Sequence, residues 1–512
     1  MQAAIQTYGL TKTFDTVVAN DKVAFDVRRG EILALLGENG SGKTTLMNML
    51  FGIYYPDSGR IEVEGKEVTI RSPKDAAKLG IGMVHQHFKL VDVFSAADNI
   101  ILGLEDDNTR TFLKRSQYVK EIREISKRYG FELDPEKKIY NMSVSEKQSV
   151  EILKVLYRGA DILILDEPTA VLTPQEAERL FVTLRNVKAD GKAVVLITHK
   201  LNEVLSVSDR VHILRKGKSI ATVNTAETNQ QELTEMMVGH SVNLKIDRPF
   251  TSGRVDRLNI ENLNCMTPDG VQALQNVSFT IKAGEILGVA GIAGSGQKEL
   301  CEALTGLYPL TKGQVQYFPE KGKTVDIAGL SPKKISELGI SMAFVPEDRL
   351  GMGLVAGMDM TDNIMLRYYN KSSGLFVDRK SSRNLAESLI DKLAIVTPGV
   401  NKPVRRLSGG NVQKVLLGRE IASSPRVLIA AYPVRGLDIN SSYTIYDLLN
   451  EQKMNGVAVL FIGEDLDVLL ELADRILVLC GGQVSGIVDA ENTTKEELGL
   501  LMTQIGAGGT EL

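Results

Sequence analysis

The chain has 512 residues, 60 basic and 64 acidic, for a net charge of −4. That length calls for two or more domains, and that charge balance leaves no footprint for nucleic-acid binding. Hydrophobic residues make up 43%, ample for packed cores, and the three cysteines (Cys265, Cys301, Cys480) have neither metal-ligand nor disulfide spacing, so free thiols in a reducing compartment are expected.

The N-terminal stretch MQAAIQTYGLTKTF lacks the basic-then-apolar pattern of a signal peptide. The strongest apolar runs, 194–197 and 476–480, are strand-sized, far below the ~18 residues of a membrane span. The expectation is a soluble cytosolic chain that meets a membrane only through a partner.

In chain order, a strand over 31–36 leads into Gly37-Glu38-Asn39-Gly40-Ser41-Gly42-Lys43-Thr44-Thr45, and a helix is predicted over 44–50. Strand, glycine-rich turn and helix together form a phosphate-binding loop. Its glycines let backbone N–H groups wrap phosphate oxygens, and the helix start faces the same charge. Lys43 would reach the β- and γ-phosphates, and the Thr44 hydroxyl would coordinate Mg2+. Gln86, in GMVHQHF, could contact Mg2+ or water. Residues 113–128 are predicted as an exposed, charged helix with a solvated face. The apolar run 162–165 ends in Asp166 and Glu167. Carboxylates at the carboxyl end of a parallel strand face the ligand crevice; Asp166 would hold Mg2+ through water and Glu167 would polarise the attacking water. A further strand over 194–197 leads to His199, a candidate for the γ-phosphate. Residues 241–256 are polar, broken by Pro249 and Gly253, and read as a linker between domains 1–240 and 257–512.

The second half repeats the first. Gly291 lies 254 residues after Gly37. Ser143 and Asp166 are 23 apart, as are Ser408 and Ala431; Asp166 and His199 are 33 apart, as are Ala431 and Glu464. Chance does not keep such spacing at three landmarks, so the chain is two copies of one α/β domain with a largely parallel sheet. The second copy carries Leu407-Ser408-Gly409-Gly410-Asn411, whose serine and glycines open a helix and make a second kind of anion site.

The set GENGSGKTT, a glutamine segment, LSGGN, ILDEPT and LITH resembles the ATP-binding cassette ATPases, over nearly the whole chain and in both copies. The resemblance implies two tandem cassettes, each with a P-loop α/β core, an antiparallel β portion and a helical subdomain. It also implies ATP and Mg2+ as ligands, and head-to-tail pairing of the cassettes with ATP between one loop and the other signature. The tandem form is similar to ATPase subunits of simple-sugar importers. GIGMVHQHFKLVDVFSAADNIILG, DEPTAVLTPQE and Val345-Pro346-Glu347-Asp348-Arg349 look most like the nucleoside-importing branch. The implied partners are two transmembrane permeases and an extracytoplasmic solute-binding protein, with the chain at the cytoplasmic face of a bacterial cell membrane. An alternative is a non-transport tandem cassette ATPase acting on ribosomes or DNA, against which the short linker and the charge argue; another is a nucleotide switch, against which Glu167 and His199 argue.

At the places of Lys43, Thr44, Gln86, Asp166, Glu167 and His199, the second copy has Gln297, Lys298, Glu347, Ala431, Tyr432 and Glu464. Its loop backbone, Gly291 with Gly294, Ser295 and Gly296, is kept. The signatures are reversed: Ser145 replaces glycine in the first copy's Met142-Ser143-Val144-Ser145. Crossed pairing would therefore give one complete site and one that collects the defects. Adenine needs an aromatic face; Phe14 is the candidate, with Tyr8 as an alternative, and Pro268 stands at the second copy's matching place. Thr173 and Ser149 depart from the aspartate and arginine that the family usually has there.

Overall fold

The computed structural model describes residues 3–15, 17–85, 88–104, 115–170, 172–241, 244–338, 340, 342–369 and 377–504. The chain divides into two compact units, Met1–Asn243 and Leu244–Leu512.

In the first unit a six-stranded sheet runs in the order Lys218–Asn224, Arg210–Arg215, Ile32–Leu36, Ala193–Ile197, Ile162–Asp166, Ile81–Val84. All pairs are parallel except the first, a hairpin at the edge. The three central strands are buried at every position, as expected for continuous apolar runs covered on both faces. A second, antiparallel sheet is built on the long strand Ala3–Phe14, which pairs with Val17–Val23, Asp26–Arg28 and Ser58–Val63. A third element is helical: Ala96–Ile101, Arg115–Tyr129 and Val144–Tyr157 enclose their own small core, including Ala97, Ile100, Ile122, Val150 and Leu153.

The second unit repeats this plan. Its six-stranded sheet runs Met342–Val345, Val427–Ala431, Ala458–Ile462, Glu285–Gly291, Arg475–Cys480, Gln483–Asp489, the same order of equivalent strands. Its antiparallel sheet is built on Asp256–Met266. An ion pair recurs as well: Lys188 meets Asp209 at 2.5 Å, and Lys453 meets Asp474 at 2.8 Å. The duplication seen in the spacing is a duplication of the fold.

Two expectations change in detail. The charged stretch 113–128 forms the helix Arg115–Tyr129, with 113 and 114 outside the described residues. It is amphipathic rather than wholly exposed: Val119, Ile122 and Tyr129 are buried while Lys120, Arg123 and Glu124 face solvent. The stretch 241–256 belongs to the second unit from Leu244 onward. There Tyr443 donates to the Leu244 carbonyl at 2.8 Å, Arg248 donates to the Leu470 and Ala473 carbonyls, and Arg254 pairs with Asp474. Ile246 is buried. A polar composition concealed these anchors, because arginine caps carbonyls that sequence does not display.

Candidate nucleotide-binding site

The loop Gly37 to Gly42 follows the strand Ile32–Leu36 and opens the helix Lys43–Leu50. Gly42 has φ +98°, and a Cβ there would sit 2.3 Å from the Ala19 carbonyl oxygen. Only glycine meets both conditions, the left-handed backbone and the close neighbour. No side chain caps this helix start, so its first N–H groups remain available to an anion. Ser41 is buried and its Oγ has no hydrogen-bond partner among the described residues. An orphaned hydroxyl inside a glycine-rich loop fits a ligand oxygen. Glu38 is half-buried, Asn39, Gly40 and Thr44 are exposed, and Thr45 is half-buried.

Lys43 is buried, and its Nζ donates to the Gly37 carbonyl at 2.6 Å and the Glu38 carbonyl at 3.0 Å. Burial pushes its pKa down, opposed by the charges of Glu167, Asp166 and Glu38. The ammonium is thus held on the loop, within the field of the two acids.

Those acids end the strand Ile162–Asp166. In the sheet Asp166 is level with Ile197, which is level with Leu35, so the acids come out beside the loop. Burial and the adjacent Glu167 charge raise the Asp166 pKa to about 6, with Lys43 opposing. This carboxylate carries more negative charge than its surroundings offset, so it fits a divalent cation together with the Thr44 hydroxyl. Glu167 adopts φ +47°, strained for a residue with a side chain, and its N–H donates to the Ile197 carbonyl at 2.9 Å. His199 Nδ1 lies 2.9 Å from Glu167 Oε1. That hydrogen bond is the main reason the Glu167 pKa is lowered, and it favours the ionised carboxylate. Gln86 lies outside the described residues.

Of the two aromatic candidates, Phe14 ends its strand partly exposed and meets Tyr54 edge-on at 5.1 Å between ring centres. Tyr8 is engaged elsewhere: its hydroxyl donates to Glu62, and the Arg60 guanidinium lies 4.1 Å from its ring centre.

The second unit keeps the loop and loses the chemistry. Gly294 and Gly296 have φ +88° and +98°. Gln297 is buried and its Nε2 donates to the Ile292 carbonyl at 3.1 Å, the counterpart of the bond from Lys43 to Glu38. Lys298 points outward, 3.9 Å from Glu302. Tyr432 keeps the left-handed backbone, φ +50°, with its N–H on the Ile462 carbonyl at 3.0 Å. Arg435 pairs with both Glu347 and Glu464. Lys298, Glu302, Glu347, Ala431 and Tyr432 line a cavity of about 360 Å³.

The signature helices differ at their starts. Ser408 caps the helix Gly409–Ala422, with Asn411 Nδ2 donating to its Oγ at 2.8 Å and no acid in the first turn. A Cβ on Gly410 would sit 2.7 Å from Ser441 Oγ. Ser143 caps Val144–Tyr157, but Glu146 folds back: its carboxylate accepts from the Ser143 N–H at 2.7 Å and binds Lys137 at 2.6 Å. Glu146 stands at Asn411's place, and sequence reading missed it. The S-x-x-E capping pattern was the available signal. At the first copy's helix start a carboxylate thus already takes the Ser143 N–H. Thr173 caps the next helix through Glu176, as Asp438 does through Ser441, so the departure at Thr173 keeps the cap. Ser149 donates to the Ser145 carbonyl at 3.0 Å within its own helix.

The sequence profile of ABC transporters matches residues 20–170 and again 274–434. The chain belongs to the ABC transporter family. It is 45% identical to the nucleoside import ATP-binding protein NupA of Lactococcus lactis subsp. cremoris, over 98% of each chain. It is 44% identical to the guanosine import ATP-binding protein NupO of Bacillus subtilis, over 100% of this chain and 98% of that protein. The glucose import ATP-binding protein TsgD13 of Haloferax volcanii is 38% identical, over 96% and 94%. Among solved structures, the archaeal ribosome recycling factor aABCE1, in complex with the stalk protein aP1, aligns over 92% of this chain and 87% of its own with a TM-score of 0.55. At 17% identity that likeness shows the tandem-cassette fold alone. Family membership makes the chain an ATPase. Among the described residues no helix is long and apolar enough to cross a membrane.

Proposed function

We propose that the chain is the ATP-hydrolysing subunit of an importer for nucleosides, with simple sugars as the next solute class. It would work at the cytoplasmic face of the membrane with two permeases and an extracytoplasmic solute-binding protein. The whole-length similarity to NupA and NupO supports the solute class. One observation carries the site assignment: the two copies are defective at complementary places. The first has Lys43, Asp166, Glu167 and His199 beside a signature closed by Glu146; the second has Gln297, Ala431, Tyr432 and Glu464 with the signature Ser408, Gly409 and Gly410 open. Head-to-tail use of the copies then yields one competent and one degenerate ATP site.

In the competent site the loop N–H groups and Lys43 would bind the phosphates, Phe14 would face the adenine, and Ser408 would complete the γ-phosphate contacts. Mg2+, held by Thr44 and Asp166 with Gln86, would supply charge for the developing negative charge on the phosphates. Glu167, kept ionised by His199, would accept the proton of the attacking water. His199 would hold that carboxylate and face the γ-phosphate.

The test is reconstitution. The chain should co-purify with its permeases, and in vesicles its ATPase should rise with nucleoside-loaded binding protein. Stimulation by sugars alone would reject the nucleoside assignment, and failure to associate with any membrane subunit would reject the importer.

A further inference from the structure

We propose that Thr169, Lys200 and Glu203 are positioning residues for ATP hydrolysis, forming a polar brace inside the first unit that holds Glu167 and His199 against each other. This rests on the roles of Glu167 and His199 proposed above.

Glu167 opens the turn Glu167-Pro168-Thr169-Ala170, which the Ala170 N–H closes by donating to the Glu167 carbonyl at 3.2 Å. Thr169 is buried, and its Oγ1 donates to Glu203 Oε2 at 2.6 Å. Glu203 lies on the short helix Leu201–Val207, which begins two residues after His199. The other oxygen of Glu203 pairs with Lys200 Nζ at 3.2 Å, and the same ammonium donates to the Thr169 carbonyl at 3.3 Å. The three residues thus close a brace between the turn that carries Glu167 and the segment that carries His199. These are the two segments joined by the 2.9 Å contact of His199 Nδ1 with Glu167 Oε1.

The second unit shows what the brace is not needed for. The offset of 265 residues that takes Glu167 to Tyr432 and His199 to Glu464 takes Thr169, Lys200 and Glu203 to Val434, Asp465 and Val468. Both valines pack against that unit's core, and Asp465 caps the helix Leu466–Leu472 instead. Yet the turn has the same backbone. Tyr432 has φ +50° where Glu167 has +47°. The Arg435 N–H donates to the Tyr432 carbonyl at 3.1 Å, and the Leu437 N–H donates to the Val434 carbonyl at 3.1 Å, as Leu172 does to Thr169 at 3.3 Å.

The left-handed turn therefore forms with two apolar side chains in place of the hydrogen-bonded pair. Replacing both partners of a buried hydrogen bond by apolar groups costs little stability, and taking a carboxylate out of water is unfavourable in itself. Stability does not account for the brace. It is present where the acid and the histidine are present, and all three of its members are replaced where both are lost. What it adds is aim: a reacting group misplaced by about 1 Å can lower a rate on the order of 10².

A structural role and a positioning role are separated by copying the second unit's residues into the first. On the full chain with its permeases, kcat, the KM for ATP and the melting temperature are measured for Thr169→Val, Thr169→Ser and the double variant Thr169→Val with Glu203→Val. Thr169→Val should lower kcat about tenfold or more, with KM within about threefold of the parent because the phosphate loop is untouched. Thr169→Ser keeps the hydroxyl and should bring kcat back to within about threefold of the parent. The double variant should melt within about 3 °C of the parent and still turn over as slowly as Thr169→Val. A double variant that recovers kcat together with its melting temperature, one that melts far below the parent, or a serine no faster than the valine would overturn the proposal. Glu167→Gln tests the parent reading separately. If it hydrolyses ATP normally, the role of Glu167 is wrong; if it is inactive while the brace variants turn over at the parental rate, the brace alone is rejected.

Discussion

His199 Nδ1 lies 2.9 Å from Glu167 Oε1, and this pair is what the second copy has exchanged for Tyr432 and Glu464. With the ring N–H donated to it, Glu167 stays ionised, and it is placed on a left-handed backbone that only surrounding structure can hold. Glu167→Gln removes the proposed proton acceptor and leaves the loop, Lys43 and Asp166 in place. The expected outcome is ATP binding at near-parent affinity with turnover lowered on the order of 10²–10³ or more, the scale for losing a positioned general base. Single-turnover phosphate release checks it; turnover within a few-fold of the parent would remove Glu167 from the mechanism.

Asp166 predicts a pH-dependent stability. Its folded pKa of about 6 lies above the ordinary aspartate value of 3.8, so between those values the folded chain holds a proton that the unfolded chain has released. Stability from this group is therefore largest below the unfolded pKa and is lost as pH rises through about 6. Asp166→Asn should abolish turnover yet raise the melting temperature at pH 7.5 without nucleotide, by removing a cost on the order of 1–3 kcal/mol. As pH falls from 6 toward 3.8 the gain should shrink, to about a third of its pH 7.5 size at pH 4.5. A variant that melts below the parent at pH 7.5 would show that burial is not straining this carboxylate.

How much of this was legible before the fold was known depends on the kind of contact. Lys43, Asp166, Glu167 and His199 stood out because phosphate chemistry needs those side chains next to particular strands and turns. The repeat stood out because equivalent strands keep equivalent spacing. Glu146 was passed over, since a glutamate three residues after a serine reads as an ordinary helix start until a phosphate is expected there. The Arg349–Arg435 contact was invisible, because it joins residues 86 apart through a carbonyl. The anchoring of Arg248 on the Leu470 and Ala473 carbonyls was hidden for the same reason. The Arg60 guanidinium against the Tyr8 ring was likewise not visible in the sequence.

Restoring one acid should not revive the second copy. Tyr432→Glu would put a carboxylate beside Arg435, which already pairs with Glu347 and Glu464. The new acid would join that ion cluster instead of facing a water. Gln297 still replaces the lysine, Lys298 and Ala431 still replace both Mg2+ ligands, and Glu146 still closes the opposing signature. Phosphate release from Tyr432→Glu combined with Glu167→Gln should equal that of Glu167→Gln alone. A clear gain would mean that the second site is one substitution from competence and would overturn its assignment as degenerate.

The two signature serines give opposite expectations. Ser408 sits at an open helix start, held by Asn411, with no acid in the first turn. Ser408→Arg would drive a bulky side chain into the place where the γ-phosphate of the Lys43-bound nucleotide is proposed to sit. Losing one phosphate-orienting donor typically lowers the rate on the order of 10²–10³, and the added bulk acts in the same direction. Ser143 lies in the other copy, where Glu146 already fills the helix start and is itself neutralised by Lys137. Ser143→Arg loses a helix cap, a cost of about 1 kcal/mol in stability, but obstructs only the site without a lysine, Mg2+ ligands or a base. Its turnover should stay within about threefold of the parent, because no transition-state contact is lost. Both variants are to be assayed for ATP hydrolysis with the permeases present, and their melting temperatures compared so that a folding defect is not read as a catalytic one. If Ser143→Arg is inactive while Ser408→Arg hydrolyses normally, the first copy works with its own signature and the crossed site does not exist.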